Sequence, residues 1–161
     1  FSLLVERYRD GVVNMCYRLC GNVDLAQEST QEAFLRAWKN IDSYDSGRPF
    51  RNWLYRIAAN LTIDALRREK PQANVELIDL LDGQANPEQD VMRQQRIGAI
   101  RRAVLALPTA SRSVLVLREY EGMSYQEISE TLDIPLGTVM SRLNYARTQL
   151  RKELHGYLEE G

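Results

Sequence analysis

The sequence lacks any long hydrophobic run. No apolar stretch approaches the roughly 20 residues that a helix needs to cross a bilayer, and no basic-then-apolar leader is present. Because the first residue is Phe1 and not Met, we expect the natural start to lie further upstream. Hydrophobic residues make up 44% of the chain, which allows a core and excludes a wholly disordered protein. We therefore expect a folded protein without membrane insertion.

Cysteine and histidine are scarce. Cys16 and Cys20 lie four residues apart, and His155 is the single histidine. A structural zinc site needs four such ligands at close spacing, so the cysteines are interpreted as small buried thiols in a reducing compartment. The sequence also shows no phosphate-binding glycine loop and no nucleophile-base pair. It therefore predicts no metal, no cofactor, no small-molecule substrate and no enzymatic activity.

The net charge is only −1, but the charges are unevenly distributed. Residues 1–70 carry 11 Lys/Arg against 9 Asp/Glu, and residues 94–161 carry 9 against 8. Residues 71–93 carry one Arg against five acids and also hold Pro71, Gly83 and Pro87. Proline, glycine and a change of charge together are typical of a linker. The sequence predicts two domains, 1–70 and 94–161, joined by an acidic flexible linker.

Both predicted domains show apolar residues at steps of three and four, which is the spacing of a helix face. Gly21-Asn22 and Pro108 end two of these patterns, and a turn-rich loop covers residues 42–49. No segment alternates in the manner of a half-buried strand, so the predicted fold is all-α. The predicted buried faces consist of Val5, Tyr8, Val12, Cys16 and Leu19; Thr30, Ala33, Phe34, Ala37, Trp38 and Ile41; Leu54, Ile57, Ala58, Leu61, Ala65 and Leu66; Ile97, Ile100, Val104 and Leu107; Val114, Leu115 and Leu117; and Leu136, Val139, Leu143, Ala146 and Leu150.

The second domain shows the pattern of a helix-turn-helix. Ser124 and Glu127 are spaced as a capping box, in which each side chain satisfies a free backbone N–H of the other residue. A short helix to about Leu132, a turn and a long helix beginning at Pro135 should follow. From Pro135 to Lys152 there are four Lys/Arg and no acid, as expected for a helix that lies in a DNA major groove. An ordinary helical hairpin with a solvated charged face fits the same pattern.

Aromatic and arginine side chains are interleaved around the loop and the third helix. They are Tyr44, Phe50, Trp53 and Tyr55, with Arg48, Arg51 and Arg56. Aromatic rings can stack on unpaired or flipped-out bases while arginines hold the phosphates, and the amide of Asn60 can read a base edge. Core positions for Phe50 and Trp53, and a satisfied buried amide for Asn60, explain the same residues equally well.

Two groups of segments resemble a known family. Segments 31–38 (QEAFLRAW) and 53–68 (WLYRIAANLTIDALRR) resemble the second conserved domain of the extracytoplasmic-function (ECF) sigma factors of the sigma-70 family. Segments 107–108 (LP), 125–129 (YQEIS) and 134–143 (IPLGTVMSRL), with 146–147 and 150–151, resemble their fourth domain. The resemblance implies a sigma-2-like helical bundle followed by a sigma-4-like helix-turn-helix, in a bacterial sigma factor for a specialised stress or envelope regulon.

The resemblance implies three contact surfaces. The first would bind core RNA polymerase at the β′ clamp helices, through Glu28, Gln31, Glu32, Phe34, Leu35, Arg36 and Trp38. The second would bind the −10 element as a single strand, through Tyr44, Asp45, Ser46, Arg48, Phe50, Trp53, Arg56, Asn60, Asp64 and Arg67. The third would bind the −35 element as duplex, through Ser124, Tyr125, Pro135, Thr138, Met140, Ser141, Arg142, Tyr145, Arg147 and Arg151.

The same resemblance implies further partners and a location. The β flap of the polymerase would be contacted as well, and the acidic linker would run toward the active-site and RNA-exit channels. An anti-sigma factor would mask the polymerase-binding surfaces and hold the protein near the membrane, in the cytoplasm.

Two other classes of protein stay open from the residues alone. A helix-turn-helix regulator of duplex operators would have no use for a single-strand pocket and would usually dimerise. A helical adaptor that binds only proteins would use the basic helix for docking, and charge reversal at Arg142 would then leave DNA binding unaffected.

The sequence departs from the family at two positions of the basic helix. Members often carry Arg or Lys at the position of Met140, and often Arg at that of Tyr145. We predict that Tyr145→Arg raises the affinity for duplex DNA and steepens its salt dependence by about one unit of slope, because it adds one phosphate contact. Titrations of labelled duplex at several salt concentrations measure this slope, and an unchanged slope would contradict the prediction.

Overall fold

A computed structural model describes residues 1–68 and 91–158 of the chain, which divides into two compact units, Phe1–Glu76 and Leu77–Gly161. The described residues form helices, turns and loops without a strand. The predicted all-α fold of two small helical domains is therefore confirmed. The predicted acidic linker, 71–93, lies outside the described residues except for its last three, which already belong to a helix.

The first unit is a three-helix bundle in which each helix packs against the other two. Its elements are α1 (Ser2–Cys20), α2 (Val23–Lys39), a single 3₁₀ turn (Ile41–Ser43) and α3 (Phe50–Arg68). Gly21 adopts φ 69° and donates its N–H to the carbonyl oxygen of Tyr17 at 2.7 Å, which ends α1 as predicted. The Asn22 side chain then accepts from the N–H of Leu25 at 3.1 Å and begins α2.

Helix α2 faces the core through small side chains. Ala26, Ala33 and Ala37 are fully buried, and Phe34 is buried beside them. The prediction that Trp38 and Ile41 join this buried face is wrong, because both are exposed. Trp38 lies at the edge of the stripe, and Ile41 lies beyond the end of the helix, in the 3₁₀ turn.

Helix α3 buries a different face from the predicted one. Leu54 and Ala58 are fully buried as expected, whereas Ile57, Leu61, Ala65 and Leu66 are only partly covered. Tyr55, Ala59, Thr62 and Ile63 are buried instead. Thr62 can be buried because its hydroxyl donates to the carbonyl oxygen of Ala58 at 2.9 Å. The apolar-only pattern missed Tyr55 and Thr62 because both carry a polar atom.

The second unit is built around one long helix. Its elements are α4 (Val91–Ala106), α5 (Thr109–Leu115) with a π-helical turn (Val116–Tyr120), α6 (Tyr125–Leu132), α7 (Leu136–Glu153) and α8 (His155–Leu158). Helices α4, α5 and α6 all pack against α7. The buried guanidinium of Arg112 donates to the carbonyl oxygens of Leu105 at 2.7 Å and Leu107 at 3.3 Å, and so joins α5 to the end of α4.

The helix-turn-helix is present as predicted. Ser124 and Glu127 form the capping box, with both reciprocal hydrogen bonds at 3.0 Å. Asp133 turns the chain with φ 54°. Pro135 is the cap of α7 and not its first helical residue, a shift of one position.

Three predicted core residues of the second unit are exposed. Ile97 and Ile100 lie on the outer side of α4, where Ala99 and Ala103 face the core instead, and Leu136 is exposed at the start of α7. Val139, Leu143 and Ala146 are buried as predicted, and Leu150 is partly covered. The buried side of α4 consists of Ala99, Ala103 and Val104, so the apolar stripe of this helix is displaced from the predicted one. Among the described residues, no helix is both long and apolar enough to span a membrane.

Gly11 in α1 is a position where a side chain has no room. A Cβ atom placed there would overlap the hydroxyl oxygen of Tyr55, which is buried in the bundle. We predict that Gly11→Ala destabilises the first unit by about 1–3 kcal/mol through overpacking, measured by urea unfolding with the fluorescence of Trp38 and Trp53.

Two variants control for the backbone effect of the substitution. Gly98→Ala in α4 places its methyl 3.5 Å from the Arg102 guanidinium, an ordinary contact, and should stabilise the second unit by up to about 1 kcal/mol. Its unfolding is followed by circular dichroism, because both tryptophans lie in the first unit. Gly11→Ala combined with Tyr55→Phe should recover part of the loss. A Gly11→Ala protein as stable as the parent would contradict the packing described.

Candidate functional site

The outer face of α2 exposes large apolar side chains between polar ones. Leu35 is 52% exposed and Trp38 58% exposed. The ring of Phe1 packs edge-on against Trp38, with a centroid distance of 5.0 Å. Apolar side chains of this size, with a polar rim, are typical of a protein-binding surface. We call this surface the α2 face; it consists of Glu28, Gln31, Glu32, Leu35, Arg36 and Trp38, all exposed.

Two of the residues predicted for polymerase binding have other contacts within the unit. Phe34 is buried, so it supports the helix from inside and does not lie on the surface. Arg36 donates from Nε to Glu32 Oε1 at 3.2 Å, one turn earlier. An exposed ion pair of this kind stabilises a helix by well under about 1 kcal/mol, so a partner can compete for either side chain.

Aromatic rings from three elements meet beside the loop that precedes α3. Tyr44 lies 5.4 Å from Phe50 and 5.2 Å from Trp53, and Phe50 lies 5.7 Å from Trp53, all between ring centroids. Tyr8 of α1 lies 5.7 Å from Phe50 and extends the group. These four residues, the aromatic cluster, are all partly exposed. The core interpretation of Phe50 and Trp53 is therefore only half right, since the rings pack together and are still partly exposed.

Tyr8 was not among the predicted site residues. The helix periodicity of α1 placed Tyr8 among the buried residues. In the structure its ring is only partly covered. The contact with Phe50 arises from the packing of α1 on α3, which the local sequence does not show.

The loop over residues 44–49 is held in one conformation by its own hydrogen bonds. Asp45 Oδ1 accepts from the N–H of Gly47 at 2.9 Å, and the Asp45 carbonyl oxygen accepts from the N–H of Arg48 at 3.0 Å. The Tyr44 hydroxyl donates to the carbonyl oxygen of Arg48. The side chains of Asp45, Ser46 and Arg48 stay exposed. The loop therefore presents polar groups from a preformed turn that is anchored on the aromatic cluster.

The remaining predicted −10 residues follow the loop along α3. Trp53, Arg56, Asn60, Asp64 and Arg67 recur at steps of three and four, which places them on one side of the helix. Arg56, Asp64 and Arg67 are exposed, and Asn60 is half-buried. Asp64 and Arg67 form an exposed ion pair at 3.7 Å. The structure thus brings the loop and this side of α3 together as one surface, which we call the loop–α3 surface.

The exposed side of α7 carries most of the predicted −35 residues. Met140 is 48% exposed and Tyr145 46% exposed. The others divide into exposed and partly exposed side chains: Pro135, Ser141 and Arg151 are exposed, whereas Thr138, Arg142 and Arg147 are partly covered. Asn144, which was not among the predicted residues, is exposed one turn after Met140 and carries an amide able to pair with adenine.

The two predicted −35 residues at the start of α6 are engaged inside the unit. Ser124 accepts from the N–H of Glu127 in the capping box. The Tyr125 ring lies beneath the guanidinium of Arg118, 4.8 Å from its centroid, and Arg118 donates to the Met123 carbonyl oxygen at 2.9 Å. These contacts fix the start of α6. Arg118, which takes part in them, was not among the predicted residues.

Arg147 is paired within the unit. Its Nη2 and Nε lie 2.6 and 3.1 Å from Glu119 Oε1, at the end of the π-helical turn. The hydrogen bond to Glu119 and the charge of its carboxylate raise the pKa of Arg147, although burial acts in the opposite direction. The pair links α7 to the π-helical turn that follows α5 and withholds one cation from the basic face.

The sequence also matches known proteins over most of its length. The family model of Sigma-70 region 2 matches residues 4–72, and that of Sigma-70 region 4 matches residues 97–150. A curated relative, the ECF RNA polymerase sigma factor SigW of Bacillus subtilis strain 168, is 42% identical over 166 residues, which cover 96% of this chain and 88% of that protein.

Two solved structures share the fold. One contains the sigma factor RpoE in complex with the anti-sigma factor NepR from Bartonella quintana; it aligns with a TM-score of 0.77 at 20% identity and covers 96% of each chain. The other contains CnrH in complex with the cytosolic domain of CnrY; it aligns with a TM-score of 0.68 at 25% identity and covers 97% of this chain and 88% of that one.

The Glu119–Arg147 pair generates a prediction for duplex binding. Glu119→Gln should release Arg147 toward phosphate and increase the salt dependence of duplex affinity by about one unit of slope, with a loss of stability below about 1 kcal/mol because the pair is exposed. Glu130→Gln on α6 makes the same change of net charge and serves as the control; Glu130 accepts from Gln126 of the same helix. Equal salt slopes for the two variants would show that Arg147 does not reach DNA.

Proposed function

This chain belongs to the extracytoplasmic-function sigma factors of the sigma-70 family, and from that membership we propose that its three exposed surfaces divide the work of transcription initiation. As a member it is a non-enzymatic factor that binds core RNA polymerase and directs promoter recognition. The α2 face binds the β′ clamp helices, the loop–α3 surface binds the single-stranded −10 element, and the exposed side of α7 binds the duplex −35 element. Contact with the β flap belongs to the second unit.

The aromatic cluster beside a preformed loop is the observation that carries the −10 assignment. Partly exposed rings can stack on bases that have left the duplex, and Arg48 and Arg56 lie on the same surface to hold phosphates. Asn60, half-buried one turn beyond Arg56, supplies a donor and an acceptor for a base edge. In a duplex the faces of the bases are covered by neighbouring base pairs and cannot stack on these rings. The surface therefore favours melted DNA.

Differential binding then explains how a protein without catalytic chemistry opens DNA. A surface that binds unpaired bases better than paired ones shifts the equilibrium toward the open promoter by the difference in binding free energy. Polymerase holds both units on one template, which raises the effective concentration of each for its element. Either unit alone should therefore bind DNA feebly.

Regulation by an anti-sigma factor is part of the proposal. RpoE and CnrH share the fold of this chain and are seen in complexes with NepR and with the cytosolic domain of CnrY. An apolar patch such as the α2 face is a suitable target for a competing protein. Such a regulator would hold this sigma factor in the cytoplasm, near the membrane, until a stress or envelope signal releases it for its regulon.

The acidic segment 71–93 has a proposed role that rests on its sequence alone. Its net charge of −4 suits a segment that occupies a path built for nucleic acid, toward the active-site and RNA-exit channels, and is displaced as RNA grows.

Run-off transcription on a library of random promoter fragments tests the function directly. With core polymerase we expect discrete start sites that appear only when this protein is added, each preceded by a shared two-block sequence. A specific footprint on duplex DNA without polymerase, and no transcription, would instead identify an operator-binding regulator. If neither transcription nor a footprint is observed, the result supports a protein-binding adaptor.

A further inference from the structure

The first two turns of α7 expose apolar side chains where a recognition helix meets base edges. Leu136 is 39% exposed and Met140 48% exposed, and they lie one turn apart on the same side of the helix. Residues near the N-terminus of such a helix are the ones that contact bases in the major groove. If α7 binds the −35 element as proposed above, these two side chains face its bases.

The polar groups in these turns offer little direct readout. Between Pro135 and Ser141 the sequence has no Arg, Lys, Asn or Gln, the residues that pair bidentately with guanine or adenine. The Ser141 hydroxyl donates to the Thr138 carbonyl oxygen at 3.1 Å, so its proton is already engaged. The first cation, Arg142, comes only after this stretch and is partly covered.

The charge of α7 favours DNA over a protein as the occupant of this apolar surface. Residues 135–152 carry four cations and no acid, and Arg151 and Lys152 are exposed toward the C-terminal end. Such cations position a helix on phosphates without reading sequence. In the major groove, the 5-methyl group of thymine is the one apolar feature that bases present.

We propose that Met140, with Leu136 beside it, reads thymine in the −35 element through the 5-methyl group. A long, unbranched thioether side chain adapts its rotamers to a methyl group in the groove. Burying one methyl group against it should favour thymine over a base without that group by roughly four-fold. Met140 and Leu136 thereby select thymine at one or two positions by apolar contact. An Arg or Lys in place of Met140 would select guanine instead.

Replacing thymine by deoxyuridine tests the proposal, because it removes only the methyl group and keeps the base pair. The −35 element is first identified by run-off transcription, and each of its thymines, on either strand, is then replaced singly. With the full chain and core polymerase at limiting sigma factor, we expect one or two of these replacements to weaken promoter use roughly four-fold. A deoxyuridine in the spacer between the two elements is the template control.

The variants Met140→Ala and Met140→Leu assign the effect to the side chain. Met140→Ala should use the thymine and deoxyuridine templates equally, whereas Met140→Leu should keep most of the discrimination. Met140 is exposed, and circular dichroism checks that the fold of each variant is unchanged. Indifference of the parent protein to every replacement, or full discrimination by Met140→Ala, would overturn the proposal while transcription itself still supported the sigma function. Absence of transcription from the unmodified templates would remove the function and this inference together.

Discussion

The packing of α2 is the constraint on which the first unit depends. The helix turns alanines inward at Ala26, Ala33 and Ala37 and leaves Leu35 and Trp38 outside. Small side chains let α2 approach α1 and α3 closely. Leu25 and Phe34 are the larger buried residues of the helix, whereas Leu35 and Trp38 lie on its exposed side. A large hydrophobic side chain kept in solvent costs free energy of about 1.5–3 kcal/mol relative to burial, and a partner that covers it recovers that energy.

Exposed apolar side chains beside buried ones also occur in the second unit. Ala99 and Ala103 face the core of that unit while Ile97 and Ile100 stay exposed on α4, and Val139 and Ala146 are buried in α7 while Met140 and Tyr145 are exposed. Local hydrogen bonds, such as the capping box at Ser124, fix the helices so that these exposed side chains keep a defined arrangement. Each unit thus holds most of its proposed binding residues on helices.

Much of this was predictable because the deciding signals are local. The capping box, the turn after α1 at Gly21 and the helix periodicity depend on residues within one or two turns of each other, and the structure confirms them. The errors fall where packing between helices decides. Tyr55 is buried beside Gly11 of α1, Ile97 is exposed while Ala99 is buried, and the pairing of Arg147 with Glu119, 28 positions away, could not be read from the sequence. No single-helix pattern contains that information.

The most direct measurement of the central claim is the affinity of the full chain for core RNA polymerase when the α2 face is changed. Labelled protein carrying Leu35→Ala and Trp38→Ala should bind core polymerase at least about 30-fold more weakly, as expected when two central apolar contacts are lost. Tyr145→Ala, which removes an equally exposed aromatic side chain from α7, should bind core polymerase as the parent does. Unchanged affinity of the double variant, with its helical content intact, would contradict the account.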